Sequence, residues 1–450
     1  MTFRKITADL LPVIRKFLAS DPREITEYMP SYTWLWNSDI YSVDFAVSHD
    51  CAVYRFNLLG RTYFSIPFGP GDKAAAIDDL RALAKSEGIQ LRLAPILRKE
   101  CACLGPGWLT KPLPYSFDYI YRRQDLAELK GSRYQQKRNH IHRFEELGPW
   151  HYGPVNVDDC RIVLAQWLKD HPVDEELKIE LAALDRIFSV PDLMGLTGGV
   201  LYSNGRPVAF ALGEPMSPRT FLVSYEKALP SVHGAFPMIN REFVRHQCAG
   251  YKFVNRAAAD GHPNLVKAKE SYHPVLRLRK FAAVETRVRF ASMGDADTIV
   301  DLWHQSFGDP EPAIRFFIAE KLKSETCLLL DNKAMAFCLP LPDGTRYLYA
   351  LCTRPDARHQ GLATEIVRTA INLYFEPLAV CPAEPGLIPF YGKFGFRLSS
   401  PAESRMVELD EFSRQFYTLA IGKEPEQIVS KLPTLTFPHV PGYFVPNPLS

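Results

Sequence analysis

The sequence predicts an α/β chain of mixed sheets arranged as three modules, and three observations lead there. The chain has 450 residues, enough for two to four domains of about 100–200 residues each. Short runs of alternating apolar residues are interleaved with helical periodicity along most of its length. One order of elements also occurs twice: a strand at 220–225, a turn through Gly234, a helix from about Pro237 and a strand at 251–255, then a strand at 347–353, Gly361, a helix and a strand at 378–381. This order reads as a distant structural repeat.

Composition is that of an ordinary globular chain. Hydrophobic residues make up 46% and the formal net charge is +2, so total charge points to neither nucleic acid nor a membrane surface. No apolar run approaches the roughly 18 residues of a membrane helix. Residues 1–20 are interrupted by Arg4, Lys5, Asp9, Arg15 and Lys16 and read as an amphipathic helix, not a signal peptide. The nine cysteines are scattered. Cys101 and Cys103 lack a metal or redox spacing, and Cys327, Cys338 and Cys352 sit in apolar runs as reduced core thiols do. A cytoplasmic protein with no transmembrane segment and no metal is expected. His140 and His142 stand among basic residues, where a solvated face suits them better than a metal site.

In chain order, residues 52–59 and 62–67 read as a hairpin around Gly60 and Arg61. Residues 73–86 form an amphipathic helix stopped by Gly88, and 91–94 is the next strand. From Tyr119 the charge changes. Arg122, Arg123, Lys130, Arg133, Lys137, Arg138 and Arg143 crowd one interval; Lys252, Arg256, Lys267, Lys269, Arg277, Arg279 and Lys280 crowd a second. Such intervals suit an anion such as a phosphate, a lipid head group or an RNA backbone, and they also suit a solvated helix face.

The stretch 347–363 is the most informative. Tyr347 to Thr353 alternates as a strand, Pro355 ends it, and Leu362, Ile366, Val367 and Ala370 have helical spacing from about Gly361. A strand, a tight turn and a helix N-terminus with small residues offer converging N–H groups and a favourable dipole to a phosphate. Gly361 and the small Ala363 leave room for a ligand against the backbone. The same pattern also suits a plain strand-to-helix connection.

The run Arg358-His359-Gln360-Gly361-Leu362-Ala363 resembles the acetyl-CoA pyrophosphate loop of the GNAT acyltransferase superfamily, R/Q-x-x-G-x-G/A after a strand. Downstream, the segment from Phe390 to Phe396, FYGKFGF, is similar to that family's ending. The likeness runs from about Arg287 to Ser400. It implies that acetyl-CoA, or another acyl-CoA, lies against Leu351 and Thr353 with its pyrophosphate on the amides of Arg358, His359, Gln360, Gly361, Leu362 and Ala363. It also implies that Tyr391 protonates the leaving thiolate. Tyr391 also reads as a core aromatic beside Phe390 and Phe394. Glu384, seven residues before Tyr391, reads either as a base for the amine or as a surface carboxylate.

A second resemblance covers most of 1–284. The stretches Asp118 to Tyr121, Asp125 to Gly131 and Lys137 to Ile141, with Tyr225-Glu226-Lys227-Ala228, Ile239 to Phe243, Tyr251 to Arg256 and Lys267 to Pro274, are similar to the C-terminal domain of phosphatidylglycerol lysyltransferases. The aromatic run from Ser31 to Trp36 fits as well. This likeness implies two GNAT-like halves in tandem and, in better-understood members, transfer of an aminoacyl group from tRNA to a lipid. Where that family writes Asn-Arg-Glu-Glu-Asp-Leu-Gly, this chain has Asn255-Arg256-Ala257-Ala258-Ala259-Asp260-Gly261, with two carboxylates missing.

The expected layout is therefore a first GNAT-like half at 1–150, a second with a basic cleft at 151–284, an acetyltransferase module at 285–400 and a proline-rich, mildly acidic tail at 401–450 packed on the surface. The expected activity is acyl-CoA-dependent N-acyl transfer to a small-molecule or peptide amine. Aminoacyl-tRNA-dependent transfer through 1–284, and a non-catalytic binding role, stay open beside it. In the middle module Lys137, Arg138, Glu226, Lys227, Asn255, Arg256, Lys267, Lys269 and Tyr272 are the candidate anion or substrate residues. The lost carboxylates are expected to favour a phosphate-bearing ligand, such as a tRNA acceptor stem, over a free amine.

Overall fold

A computed structural model of the chain describes residues 1–34, 38, 41–58, 61–171, 173, 175–190, 195–341, 344–398, 411–421 and 435–437. Leu35 and Trp36 of the aromatic run, Gly60 of the hairpin and most of the tail 401–450 lie outside these residues. The described strands fall in three seven-stranded sheets. The chain divides into two units, Met1–Leu83 with Leu113–Lys280, and Ala84–Pro112 with Phe281–Ser450. Residues 84–112, placed by the sequence reading in 1–150, go with the second unit because Trp108–Pro112 pairs antiparallel with the residues from Phe281 to Glu285.

In the first unit, Tyr41–Ser48, Cys51–Leu58 and Arg61–Phe64 form an antiparallel meander. The N-terminus departs from the expected continuous helix. Arg4–Lys5 is a short strand paired with Phe45 and Asp44, and the α-helix runs only over Leu11–Ser20. Pro12 explains this: with no N–H and a ring that clashes with a preceding turn, it is tolerated only where a helix begins. The second sheet of the unit is mixed. Thr220–Ala228 lies between its antiparallel neighbour Arg206–Pro215 and its parallel neighbour Phe253–Asn255. The helix Val157–Trp167 is capped by Asn156, whose side chain accepts from the Asp159 N–H at 3.1 Å. Asn156→Ala is expected to cost about 1 kcal/mol, the usual worth of such a cap, read as a lowered urea midpoint for the full chain.

A buried polar node ties this unit together. Asp118 is fully buried and accepts from the Thr26 N–H (3.1 Å), the Thr26 hydroxyl (2.9 Å), the Asn255 amide (3.0 Å) and Lys280 Nζ (2.7 Å). Lys280, also buried, donates to Glu27 as well.

In the second unit the central strands read as continuous apolar runs because both faces of their sheet are covered. Leu328, Leu330, Ala334, Ala336 and Cys338 pack on one side with the helix Leu362–Leu373. Cys327, Leu329, Met335 and Phe337 pack on the other with the helices Ala296–Phe307 and Glu311–Lys321. This alternation is the period-two geometry of a strand. From the tail, Phe416 of the helix Glu411–Ile421 is buried in that second core. No described helix is long and apolar enough to cross a membrane.

Candidate functional site

The second unit opens a wedge in its sheet. Arg346–Thr353 pairs in parallel with Leu378–Val380 only through Arg346↔Leu378 and Tyr347↔Ala379, and then continues for six more residues. On its other side the register against Ala334–Pro340 shifts between Met335↔Cys352 and Phe337↔Tyr349. Ala350, at φ +50°, sits in this bulge, and Ala350 and Leu351 are half-buried. Bulges of this kind bend a strand and release its ladder, often beside a functional site.

The strand leads to the turn singled out above. His359 (φ +62°) and Gly361 (φ +80°) are both left-handed, with Gln360 between them. Gly361 caps the helix Leu362–Leu373, and the Glu365 N–H donates to the Gly361 carbonyl at 3.0 Å. The first N–H groups of a helix have no carbonyl within it to bond, and they point out with the positive end of the dipole. A Cβ built on Gly361 meets nothing within 4 Å, so the space in front of the turn is open. Arg358 folds back to the Thr353 carbonyl at 3.4 Å, which holds an exposed cation there. Leu362 alone of the six turn residues is buried, anchoring the helix in the core.

Tyr391 shares that core with Leu362 and Val380, and Leu351 packs against it. It is 5% exposed, with Phe390 and Phe396 edge-on at 5.1 and 5.8 Å. Burial first, and Cys381 second, push its phenol up to about 12, above the unperturbed tyrosine value of about 10. Glu384 is exposed and precedes the short turn Pro385–Leu387.

The first unit repeats the wedge. Thr220–Ala228 pairs in parallel with Phe253–Asn255 only through Leu222↔Asn255 and runs on six residues; its bulge, between Leu212↔Tyr225 and Gly213↔Val223, falls at Ser224. The helix Ala235–Gln247 follows a left-handed Gly234. Here the turn is closed. A Cβ on Gly234 would lie 2.0 Å from the His140 carbonyl oxygen and 2.9 Å from Phe144 Cβ, because the helix Gln135–Glu145 packs against it. His140 Nδ1 also meets His233 Nε2 at 2.9 Å. Among the described residues no group of three or more His, Cys, Asp or Glu is arranged to hold a metal.

The structure divides the nine candidates of this unit. Lys137, Glu226, Arg256 and Tyr272 come together: Arg256 pairs with Glu226 at 3.0 Å, and the Arg256 guanidinium and Lys137 amine lie 4.9 and 4.1 Å from the Tyr272 ring centre. The others are occupied elsewhere. Arg138 donates to the Leu129 and Gly131 carbonyls and to Gln135. Lys269 is buried, with its amine on the carbonyls of Arg256, Ala257 and Ala258. Lys227 pairs with Glu180 at 2.8 Å, Asn255 serves Asp118, and Lys267 is exposed. The expected single basic cleft shrinks accordingly, since two of its cations are spent on backbone carbonyls. Asn240, whose amide donates to Glu226 at 3.2 Å, joins the cluster instead. Its one signal in the sequence is its place in the run Ile239 to Phe243 that carries the second resemblance.

Residues 22–284 match the family model described as phosphatidylglycerol lysyltransferase, C-terminal, and 295–396 match that of the GNAT acetyltransferase family. The first match spans more than half of the chain, which therefore belongs to the phosphatidylglycerol lysyltransferase C-terminal family, with a GNAT acetyltransferase domain following. Among solved structures, a conserved protein of unknown function from Bacteroides thetaiotaomicron is 32% identical, with 64% of this chain and 100% of that chain covered and a TM-score of 0.60. L-PGS from Bacillus licheniformis is 16% identical over 63% of this chain and 93% of its own, at a TM-score of 0.45. No curated protein matches the chain.

Proposed function

We propose that the second unit is an acyl-CoA-dependent N-acyltransferase, in its simplest form an N-acetyltransferase, acting on a primary amine of a small molecule or peptide. The observation that supports this most is the wedge beyond Tyr347 and Ala379 leading to an open, left-handed turn at Gly361. An extended pantetheine arm fits the released edge near Leu351 and Thr353, and a pyrophosphate fits the N–H groups from His359 to Ala363. The amine nitrogen attacks the thioester carbonyl, the C–N bond forms and the C–S bond breaks. A backbone N–H at the bulge stabilises the carbonyl oxygen as charge develops on it. Tyr391 gives its proton to the leaving thiolate, and Glu384 or solvent takes the proton from the amine.

Gly361→Glu tests the cofactor assignment, because it sets a negative charge in front of the turn. Calorimetry on the full chain is expected to show acetyl-CoA binding weakened roughly tenfold or more, about 1.4 kcal/mol. Gly361→Ala serves as control, adding the left-handed strain without the charge. Equal affinity of the Glu variant and the wild type would end the assignment.

A further inference from the structure

The wedge of the first unit is lined by polar atoms that its own residues leave unsatisfied. Glu226 and Arg256 have side chains only 8% exposed, and Asn240 is 2% exposed. Their one shared ion pair uses Arg256 Nη2 and Glu226 Oε2, and Asn240 donates to that same Oε2. The remaining atoms, Arg256 Nη1, Glu226 Oε1 and Asn240 Oδ1, are buried without a hydrogen-bond partner. Burying such groups without a partner is unfavourable, because their hydration is lost and not replaced. One donor and two acceptors are therefore left over on this cluster beside the half-buried Lys137, which makes no ion pair among the contacts of the described residues and leans on the Tyr272 ring.

Charge narrows what satisfies them. Lys137 and Arg256 share the one carboxylate of Glu226, while the buried Lys269 is answered by Asp260 and Asp118. Burial, then Arg256, push the Lys137 amine down to about 8, as expected where a further positive charge is unwelcome. A cationic ligand would add to that excess. A bare anion would satisfy Arg256 and Lys137 but leave both acceptors empty. We propose that this cleft binds a small monoanion that carries its own hydrogen-bond donor, an acylamino- or hydroxy-carboxylate, with the carboxylate on Arg256 and Lys137 and the N–H or O–H on Glu226 and Asn240. The expectation of a phosphate or a tRNA acceptor stem rested on positive charge alone; the two acceptors are what it did not include. The closed turn at Gly234 keeps this site separate in kind from a nucleotide-phosphate site.

The probes are N-acetylglycine, acetate and ethylamine, titrated into the full chain by calorimetry without acyl-CoA. N-acetylglycine is expected to bind at least about tenfold more tightly than acetate, and ethylamine not at all. Lys137→Met, at a half-exposed position, is expected to weaken N-acetylglycine about tenfold with the melting temperature unchanged, and Lys137→Arg to restore it. Asn240→Leu removes one acceptor and is expected to lessen the preference over acetate; should it fail to fold, the Lys137 pair still decides. Tighter binding of ethylamine, equal binding of acetate, no binding of any probe at millimolar concentration, or indifference to Lys137→Met would each overturn the proposal.

Discussion

Tyr391→Phe is expected to slow acyl transfer by about 10²–10⁴-fold, the range for loss of a positioned acid, while acetyl-CoA binds as before. The variant removes one oxygen and keeps the ring, so its contacts with Phe390 and Phe396 survive. The raised phenol, at about 12, stays protonated throughout the physiological range and can serve as a donor at any working pH. For the same reason no loss of rate from Tyr391 is expected between pH 6 and roughly 9, where an unperturbed tyrosine would begin to ionise. The assay should follow thioester absorbance across a panel of primary amines, because the exposed Cys103 would react with a thiol reagent. Equal rates for variant and wild type would make Tyr391 a core aromatic and nothing more.

The turn at Gly361 was legible because its requirements are local. A left-handed cap, small neighbours and a helix start are all written in six consecutive residues, and the strand edges before and after it fall within a residue of their expected places. The wedge itself was not legible. It arises where two strands stop pairing, and no residue type marks the place where a ladder ends. The middle cluster shows a different limit. Charge density pointed to two basic intervals, but Arg138 and Lys269 within them are cations that satisfy backbone carbonyls, and sequence does not distinguish an amine capping a loop from one facing a ligand. Glu226 stands out in the sequence only through the resemblance, and its unpartnered oxygen is as informative as any cation. The closed copy of the turn was not legible, because the obstruction comes from the His140 carbonyl of a helix distant in sequence.

Lys280→Met is expected to destabilise the first unit by about 3–5 kcal/mol near pH 8, and by much less near pH 5. Lys280 is buried between Asp118 and Glu27, and removing one member of a buried ion cluster strands the charge of the others. Methionine keeps the length of the side chain, so packing changes little. Glu27 already has its carboxyl raised to about 7, chiefly by burial and against the pull of Lys280. Without the lysine, the Glu27 carboxyl shifts further up. A carboxylate raised in the folded state takes up its proton there more readily than in the unfolded chain. Its penalty is absent below the unfolded value of about 4 and grows as pH rises from there through the folded one. The deficit of the variant should therefore widen from pH 5 to pH 8, opposite in sign to a carboxylate that loses a salt bridge on protonation. Hydrogen exchange in the strand Asp118–Arg122 reads the first unit alone and gives the opening free energy at each pH. A deficit of the same size at pH 5 and pH 8 would assign the loss to packing and refute the stranded-charge account.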